Sequence, residues 1–256
     1  MHEAVNIKMH FRCAVKVIKK KKIETLDPVF REMLQQELQA LEQLDHPHIV
    51  RVLDLLEDEE NIYVVAELMK HGNLLEVFDK MNKKNHKFSE ADIANIVFQL
   101  TLAVNYIHAS NIIHRDLKLE NIMVDIQDDK QDNSQKIVCK ITDFGFATMI
   151  EKRKKTLSVG SPIYMAPEVL NKMYDTKADI WSLGVIVYIL LTSKKPFDGK
   201  DDEEMFTSIR YQEPDYEGLN HYLKGGKYAR DFLQKCLNKN SNARSNANDL
   251  LRHKWF

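Results

Sequence analysis

The apolar pattern of this chain changes near residue 70, and that change limits the folds the chain can adopt. Before it, residues 13–18 alternate between two faces, as a half-buried strand does. Two more strand-like runs follow at 49–56 and 62–66, and the acidic stretch 57–61 between them is typical of a hairpin turn. The first part of the chain is therefore predicted to be a small β-sheet.

One helix is predicted between the first two of these strands. Asp27 is a suitable N-cap and Pro28 suits the first turn. Apolar side chains recur at helical spacing at Phe30, Leu34, Leu38 and Leu41. Glu37 lies on their face, and a carboxylate that is turned inward requires a cation. Lys16 in the first predicted strand is the candidate partner for Glu37.

After residue 70 the pattern is mainly helical. Ser89 and Asp92 have the spacing of a capping box and precede an amphipathic stripe. The stripe consists of Ile93, Ile96, Val97, Leu100, Val104 and Ile107. The apolar run at 180–191 is too short to span a bilayer and is typical of a buried core helix. The polar residues 125–135 are predicted to form a surface loop.

These patterns predict an α+β fold with two lobes. Residues 1–69 would form a small β-sheet lobe with one main helix, and residues 70–256 a larger, mostly helical lobe. The formal net charge of −1 gives no indication of nucleic-acid or membrane binding. The three cysteines are widely separated, which favours a reducing compartment over a disulfide framework. We therefore expect a cytoplasmic location, with the nucleus left open.

The strongest local motif is HRDLKLEN at 114–121. It resembles the catalytic loop of eukaryotic protein kinases, H-R-D-L-x-x-x-N. The resemblance implies that Asp116 receives or orients the proton of the attacking hydroxyl, and that Lys118 neutralises charge on the moving phosphoryl group. It also implies that Asn121 offers an amide oxygen to Mg²⁺. The alternative, a charged surface turn after a helix, is disfavoured by the ordered match.

Two further motifs resemble the same family. DFG at 143–145 lies farther beyond the catalytic loop than is usual, and the polar segment 125–135 accounts for the excess. By resemblance, Asp143 chelates the Mg²⁺ that bridges the nucleotide phosphates, and Phe144 packs beneath the helix that carries Glu37. AVK at 14–16 is similar to V-A-I-K, which implies that Lys16, aligned by Glu37, contacts the α- and β-phosphates.

The resemblance extends over nearly the whole chain, with the motifs in the family's order. GSPIYMAPE at 160–168 resembles the segment that closes the kinase activation loop, and its Glu168 is expected to pair with Arg244. Within DIWSLG at 179–184, Asp179 is expected to brace the catalytic loop. The final HKWF is similar to the sequence that often closes the domain.

The same resemblance outlines a pocket for ATP, which with Mg²⁺ is the expected cofactor set. Ala14 and Met123 would sandwich the adenine ring. Ala66 would be a small gatekeeper residue. The hinge would run from Glu67 to Met69 and offer backbone hydrogen bonds.

The catalytic loop resembles that of serine/threonine kinases, and of the calcium/calmodulin-dependent group in particular. Lys118 and Glu120 are typical of that type, and the Ser161 hydroxyl is expected to bridge Asp116 and Lys118. Glu120 predicts a moderate preference for a basic residue upstream of the phosphoacceptor in protein substrates. Asn73 stands where basophilic kinases often have a second acidic residue.

Control by activation-loop phosphorylation is a hypothesis. By resemblance, Arg115 binds a phosphate on that loop. Thr156 and Ser158 are the candidate sites, beside the basic residues 152–155, while the usual phosphosite position falls at Leu157.

No glycine precedes Gly72, so the first strand and the glycine-rich loop of the family are expected to be missing before Lys16. The sequence is thus expected to be a fragment or a truncated form with weak ATP binding and poor turnover. Two functions stay open: a monomeric Ser/Thr kinase domain, or a catalytically weak scaffold that binds proteins. A nucleic-acid-binding module is disfavoured because the short basic run lacks interleaved aromatic residues.

Overall fold

The computed structural model describes most of the chain, namely residues 1–21, 44–128, 135–144, 148–149, 161–171, 173, 175–221 and 226–256. Several predictions fall on residues outside these ranges. They concern the helix at 27–41 with Glu37, the glycine of DFG, and the activation-loop residues 152–158.

The first part of the chain forms a four-stranded antiparallel sheet. Its strands are β1 (His2–Asn6), β2 (Phe11–Lys19), β3 (Val52–Glu57) and β4 (Asn61–Glu67), in the order β1-β2-β4-β3. The turn between β3 and β4 is closed by Asp58, whose Oδ1 accepts hydrogen bonds from the Glu60 and Asn61 amides at 2.8 and 2.7 Å. The predicted sheet and hairpin are confirmed.

The predicted start of β3 at residue 49 is wrong. Ile49 instead forms an isolated parallel bridge with Ile141, on the helical side of the molecule. The Val50 amide donates to Ile141 O at 2.9 Å, and the Ile141 amide donates to His48 O at 2.9 Å. The segment before Val52 therefore connects the two lobes and does not extend the sheet.

Helices predominate among the regular elements described in the second part of the chain. In the described residues they are α1 (Leu74–Lys83), α2 (Glu90–Ala109), α3 (Thr176–Thr192), α4 (Asp202–Tyr211), α5 (Lys227–Cys236) and α6 (Ala247–Leu250). The capping box of Ser89 and Asp92 is present at the start of α2. All six residues of the predicted stripe on α2 are buried, because they face the core.

The buried helix α3 organises the core of the helical lobe. Fourteen of its seventeen residues are buried, including Trp181. A Cβ on Gly184 would lie 2.7 Å from the Cβ of Cys236, so the glycine permits the close approach of α5. In the part of the chain that the structure describes, no helix is long and apolar enough to cross a membrane.

The prediction of a surface loop at 125–135 is wrong at both ends of that range. β6 (Ile122–Asp128) and β7 (Gln135–Ile141) form a hairpin in which Asp125 pairs with Val138 and Ile126 with Ile137. Residues 129–134 lie outside the described ranges. The aspartates obscured the apolar alternation of this strand, in which Ile122 and Val124 are buried and Ile126 is half-buried.

A second small sheet precedes the catalytic loop. β5 (Ile112–Ile113) pairs in antiparallel fashion with β8 (Thr148–Met149). Both residues of β5 are fully buried. The loop at 114–121 thus runs from one anchored strand, β5, to another, β6.

Candidate active site

Two polar side chains of the catalytic loop, those of Lys118 and Asn121, contact the carboxylate of Asp116, which is 5% exposed. Asn121 Nδ2 donates to the Asp116 carbonyl at 2.8 Å and to its Oδ2 at 3.0 Å. Lys118 Nζ lies 2.8 Å from the same Oδ2 and 3.3 Å from Ser161 Oγ. Lys118, and not the serine hydroxyl as expected, therefore bridges the catalytic loop to the segment at 161. The carboxylate is fixed in one orientation by these donors.

The catalytic loop is braced by Asp179 from α3, as predicted. Its Oδ1 accepts from the Arg115 amide at 2.9 Å, and its Oδ2 accepts from the His114 amide at 3.0 Å. These bonds hold Arg115 in a left-handed backbone conformation with φ of 67°. Burial alone would raise the pKa of Asp179, but the hydrogen bond and charge of His108 hold that pKa below its usual value.

His108 on α2 is a residue that sequence reasoning missed. Its Nε2 lies 2.8 Å from Asp179 Oδ2, and its side chain is 11% exposed. A histidine in the last turn of a helix does not by itself indicate a functional role, because basic residues are generally favourable at that end of a helix. Only the packing of α2 against α3 shows what it contacts.

His114 links the catalytic loop to the segment that carries Asp143. Its Nε2 donates to Thr142 O at 3.1 Å, and its ring packs edge-on against Phe144 with centroids 4.8 Å apart. Burial lowers the pKa of His114, so the ring is neutral near pH 7. Asp143 has a left-handed φ of 62°, a conformation that the contacts of its neighbours must maintain.

Lys16 and Asp143 face each other across the site. Lys16 Nζ lies 3.4 Å from Asp143 Oδ1, and the two side chains are 37% and 50% exposed. The structure thus brings the lysine of β2 to the carboxylate expected to bind the metal. The predicted partner of Lys16, Glu37, lies outside the described residues.

A cavity of about 310 Å³ lies between the sheet and the catalytic loop. Its size is that of a typical small-molecule site. Most of the wall residues are apolar, and polar side chains line one end of the cavity. They are formed by Met1, Ala14, Lys16, Val50, Val52, Val64, Ala66, Glu120, Asn121, Met123, Thr142, Asp143 and Phe144.

Three predicted pocket residues, Ala14, Ala66 and Met123, line this cavity. Glu67 and Met69, predicted as adenine-binding hinge residues, are not among its wall residues. The Glu67 side chain is turned to Lys140, and its amide donates to Arg51 O at 3.0 Å. The hinge role of residues 67–69 toward adenine stays a prediction.

The cavity also includes wall residues that were not predicted. Val64 pairs with Lys16, and Ala66 with Ala14, in the β2–β4 register. Cross-strand partners lie on the same face of a sheet, so strand alternation could have identified Val64. Val50 belongs to the connecting segment before β3, and sequence alone gave no signal for it.

The predicted ion pair of Glu168 and Arg244 is confirmed. Arg244 Nη1 and Nη2 lie 2.6 and 3.0 Å from the two carboxylate oxygens. The arginine side chain is fully buried and the glutamate is 10% exposed. This pair fastens the segment after the activation loop to the helical core.

The donor set at the polar end of the cavity suits Mg²⁺. Asn121 uses its Nδ2 on Asp116, which leaves its amide oxygen for a cation, and Asp143 supplies a half-exposed carboxylate. Both are hard oxygen donors of the kind that Mg²⁺ prefers. Among the described residues no group of three or more His, Cys, Asp or Glu forms a metal cluster. Mg²⁺ usually needs only one or two carboxylates, because substrate phosphates complete its coordination.

A strand-rich lobe, a helical lobe and a cavity bordered by this Lys–Asp–Asn set define the class of protein kinases. The chain belongs to the protein kinase domain family, which it matches over residues 1–256. The prediction of a bilobal α+β protein kinase fold is confirmed. Members of this family generally use ATP and Mg²⁺.

Curated relatives of the chain include three kinases. The chain is 38% identical over 256 residues to calcium-dependent protein kinase 5 of Plasmodium berghei, a match to 99% of this chain and 42% of the relative. It is 36% identical over 259 residues to calcium-dependent protein kinase 3 of the same organism, covering 100% of this chain and 44% of that protein. Myosin light chain kinase A of Dictyostelium discoideum is 38% identical over 248 residues, which are 96% of this chain and 79% of that protein.

Proposed function

We propose that this domain transfers the γ-phosphoryl group of ATP to serine and threonine hydroxyls of proteins. The observation that carries the proposal is the buried Asp116, held by Lys118 and Asn121 beside a cavity that also presents Lys16 and Asp143. This arrangement provides a proton acceptor, two cations and a metal site within one cleft.

Asp116 orients the substrate hydroxyl and accepts its proton as the hydroxyl oxygen bonds to the γ-phosphorus, while the bond from that phosphorus to the bridging oxygen breaks and ADP leaves. Its Oδ2 is occupied by Lys118 and Asn121, so Oδ1 is the oxygen available to the hydroxyl. Lys118, 2.8 Å from Asp116, places a positive charge where the transferred group must pass.

The nucleotide is held at both ends of the cavity. Ala14 and Met123 would sandwich the adenine ring, and Lys16 would contact the phosphates. Asn121 and Asp143 hold Mg²⁺, which neutralises charge on the phosphates when bound. We propose that the lobes divide between residues 69 and 70 and that the nucleotide binds between them.

The substrate class is proposed from Glu120. This carboxylate is exposed at the edge of the cavity, next to the catalytic loop. It favours protein substrates with Arg or Lys upstream of the phosphoacceptor. We further propose an intracellular location, which three buried free cysteines support.

The test is Mg²⁺-dependent transfer of labelled γ-phosphate from ATP to a Ser/Thr peptide library. Asp116→Asn is expected to reduce transfer on the order of 10²–10⁴-fold, and Asp143→Ala to abolish it. Asp198→Asn is the matched control, since that carboxylate is 77% exposed and 3.9 Å from its lysine partner. Transfer that survives Asp116→Asn would contradict the proposed role of the carboxylate. Nucleotide binding without any transfer by the wild-type chain would favour the scaffold alternative.

A further inference from the structure

An ion pair behind the cavity is not used by the mechanism above. Lys140 Nζ on β7 lies 2.6 and 2.8 Å from the two oxygens of Glu67, the last residue of β4. The two side chains are 18% and 28% exposed. The Arg51 amide donates to Glu67 Oε1 at 2.8 Å, so three hydrogen bonds fix this carboxylate. Charge-assisted bonds of this length hold one geometry far better than an exposed surface pair.

The pair joins the two lobes next to residues that line the cavity. Glu67 follows Ala66, which lines one wall of the cavity. Lys140 is separated from Asp143, at the polar end of the cavity, by only Ile141 and Thr142. The distance between the start of the hinge and the metal-binding carboxylate is thus set by a contact between these two side chains.

Residues 48–51 bond to both sides of this junction, since Arg51 contacts Glu67 and the backbone at 48 and 50 contacts Ile141 next to Lys140. Their backbone pairs with Ile141, and His48 Nδ1 donates to Cys139 O at 3.0 Å. Burial lowers the pKa of both His46 and His48, and the charge of Lys140 contributes further to each. Both rings are therefore neutral near pH 7, and Lys140 is the cation that faces Glu67.

We propose that Lys140 is a positioning residue for the nucleotide. By clamping Glu67, it fixes the spacing between the adenine end of the cavity and the phosphate end at Asp143. A mobile hinge would bind ATP less well, since binding would have to restore that spacing. This inference rests on the proposed kinase function and adds to it a determinant of nucleotide affinity that does not touch the nucleotide.

The experiment compares Lys140→Met and Lys140→Arg with Lys136→Met, a control at an exposed lysine on the same face of the same strand. Direct binding of MgATP and KM values for ATP and peptide are measured. Lys140→Met should raise the Kd and KM for ATP roughly tenfold, because a charged hydrogen bond is lost, and leave the peptide KM unchanged. Lys140→Arg should restore most of the affinity, and Lys136→Met should behave as wild type.

Glu67→Gln tests the same contact from the other side and should reproduce the loss of ATP affinity with a smaller change in packing. The charge-exchange variant, Glu67→Lys with Lys140→Glu, should bind ATP better than either single substitution. An unchanged ATP Kd in both Lys140→Met and Glu67→Gln would overturn the inference. An equal rise in the ATP and peptide KM values would overturn it as well, since that indicates general damage. A wild-type chain that binds ATP but transfers no phosphate would count against the proposed function only, since the binding comparison would still decide the inference.

Discussion

Replacing Arg244 with Met should destabilise the helical lobe strongly. The guanidinium is fully buried and makes two bonds to Glu168, at 2.6 and 3.0 Å. It also donates to Asn238 O at 2.9 Å and to Lys177 O at 2.8 Å, and lies 5.0 Å from the Trp181 ring centroid. Methionine fills much of the same volume but supplies none of these donors.

The size of the expected loss of stability follows from the carboxylate that the substitution leaves unpaired. Glu168 would keep a 10% exposed carboxylate without its cation, and such a broken buried pair costs about 3–5 kcal/mol. For a domain of this size, each kcal/mol lowers Tm by about 2–4 °C. The expected decrease is on the order of 10 °C.

Thermal unfolding of three variants provides the measurement. Lys235→Met removes a surface pair with Asp231, in which both side chains are more than 40% exposed, and should lower Tm by no more than about 2 °C. Glu168→Gln combined with Arg244→Met should recover part of the loss, because the unpaired charge is gone. The reasoning is refuted if Arg244→Met is no less stable than Lys235→Met, or if adding Glu168→Gln makes the protein less stable still.

Three further outcomes are expected. Gly184→Ala should lower the free energy of unfolding by about 1–3 kcal/mol in denaturant titrations, because its Cβ would meet Cys236 at 2.7 Å; unchanged stability would show that α5 can shift freely. Asn73→Ala should lower that free energy by about 1 kcal/mol through loss of the α1 N-cap, and Asn73→Ser should retain most of it. Burial lowers the pKa of His114 and His48 in the folded protein, so the unfolded chain binds more protons below pH 6.5 and stability should fall as pH decreases from 6.5. A Tm that is constant between pH 7 and 5.5 would contradict this last expectation.

Local sequence patterns were sufficient to predict much of the fold. The capping box at Ser89 and the apolar stripe that follows it depend only on neighbours within one helix, and both are observed. The β6–β7 hairpin was missed because aspartates interrupt the apolar alternation of its first strand. Pairing with β7 buries Val124, and that stabilisation is invisible in the segment alone.

Contacts between residues far apart in the sequence were predictable only where both partners belong to motifs of the kinase family. Glu168 and Arg244 are 76 positions apart, and the resemblance to kinases related them before the structure did. Glu67 and Lys140 are 73 positions apart, and no motif relates them. The same holds for His108, whose contact with Asp179 depends on how α2 packs against α3.

The sequence by itself determined the class of this protein, its division into a strand-rich and a helical part, and the residue types that the chemistry needs. Those features depend on side-chain periodicity and on motifs a few residues long, which are local in the chain. Only the tertiary structure decided which donors hold Asp116, which residues form the walls of the cavity and how Glu67 is turned toward Lys140. These depend on the relative placement of two lobes, and that placement results from packing and charge pairing between residues far apart in sequence.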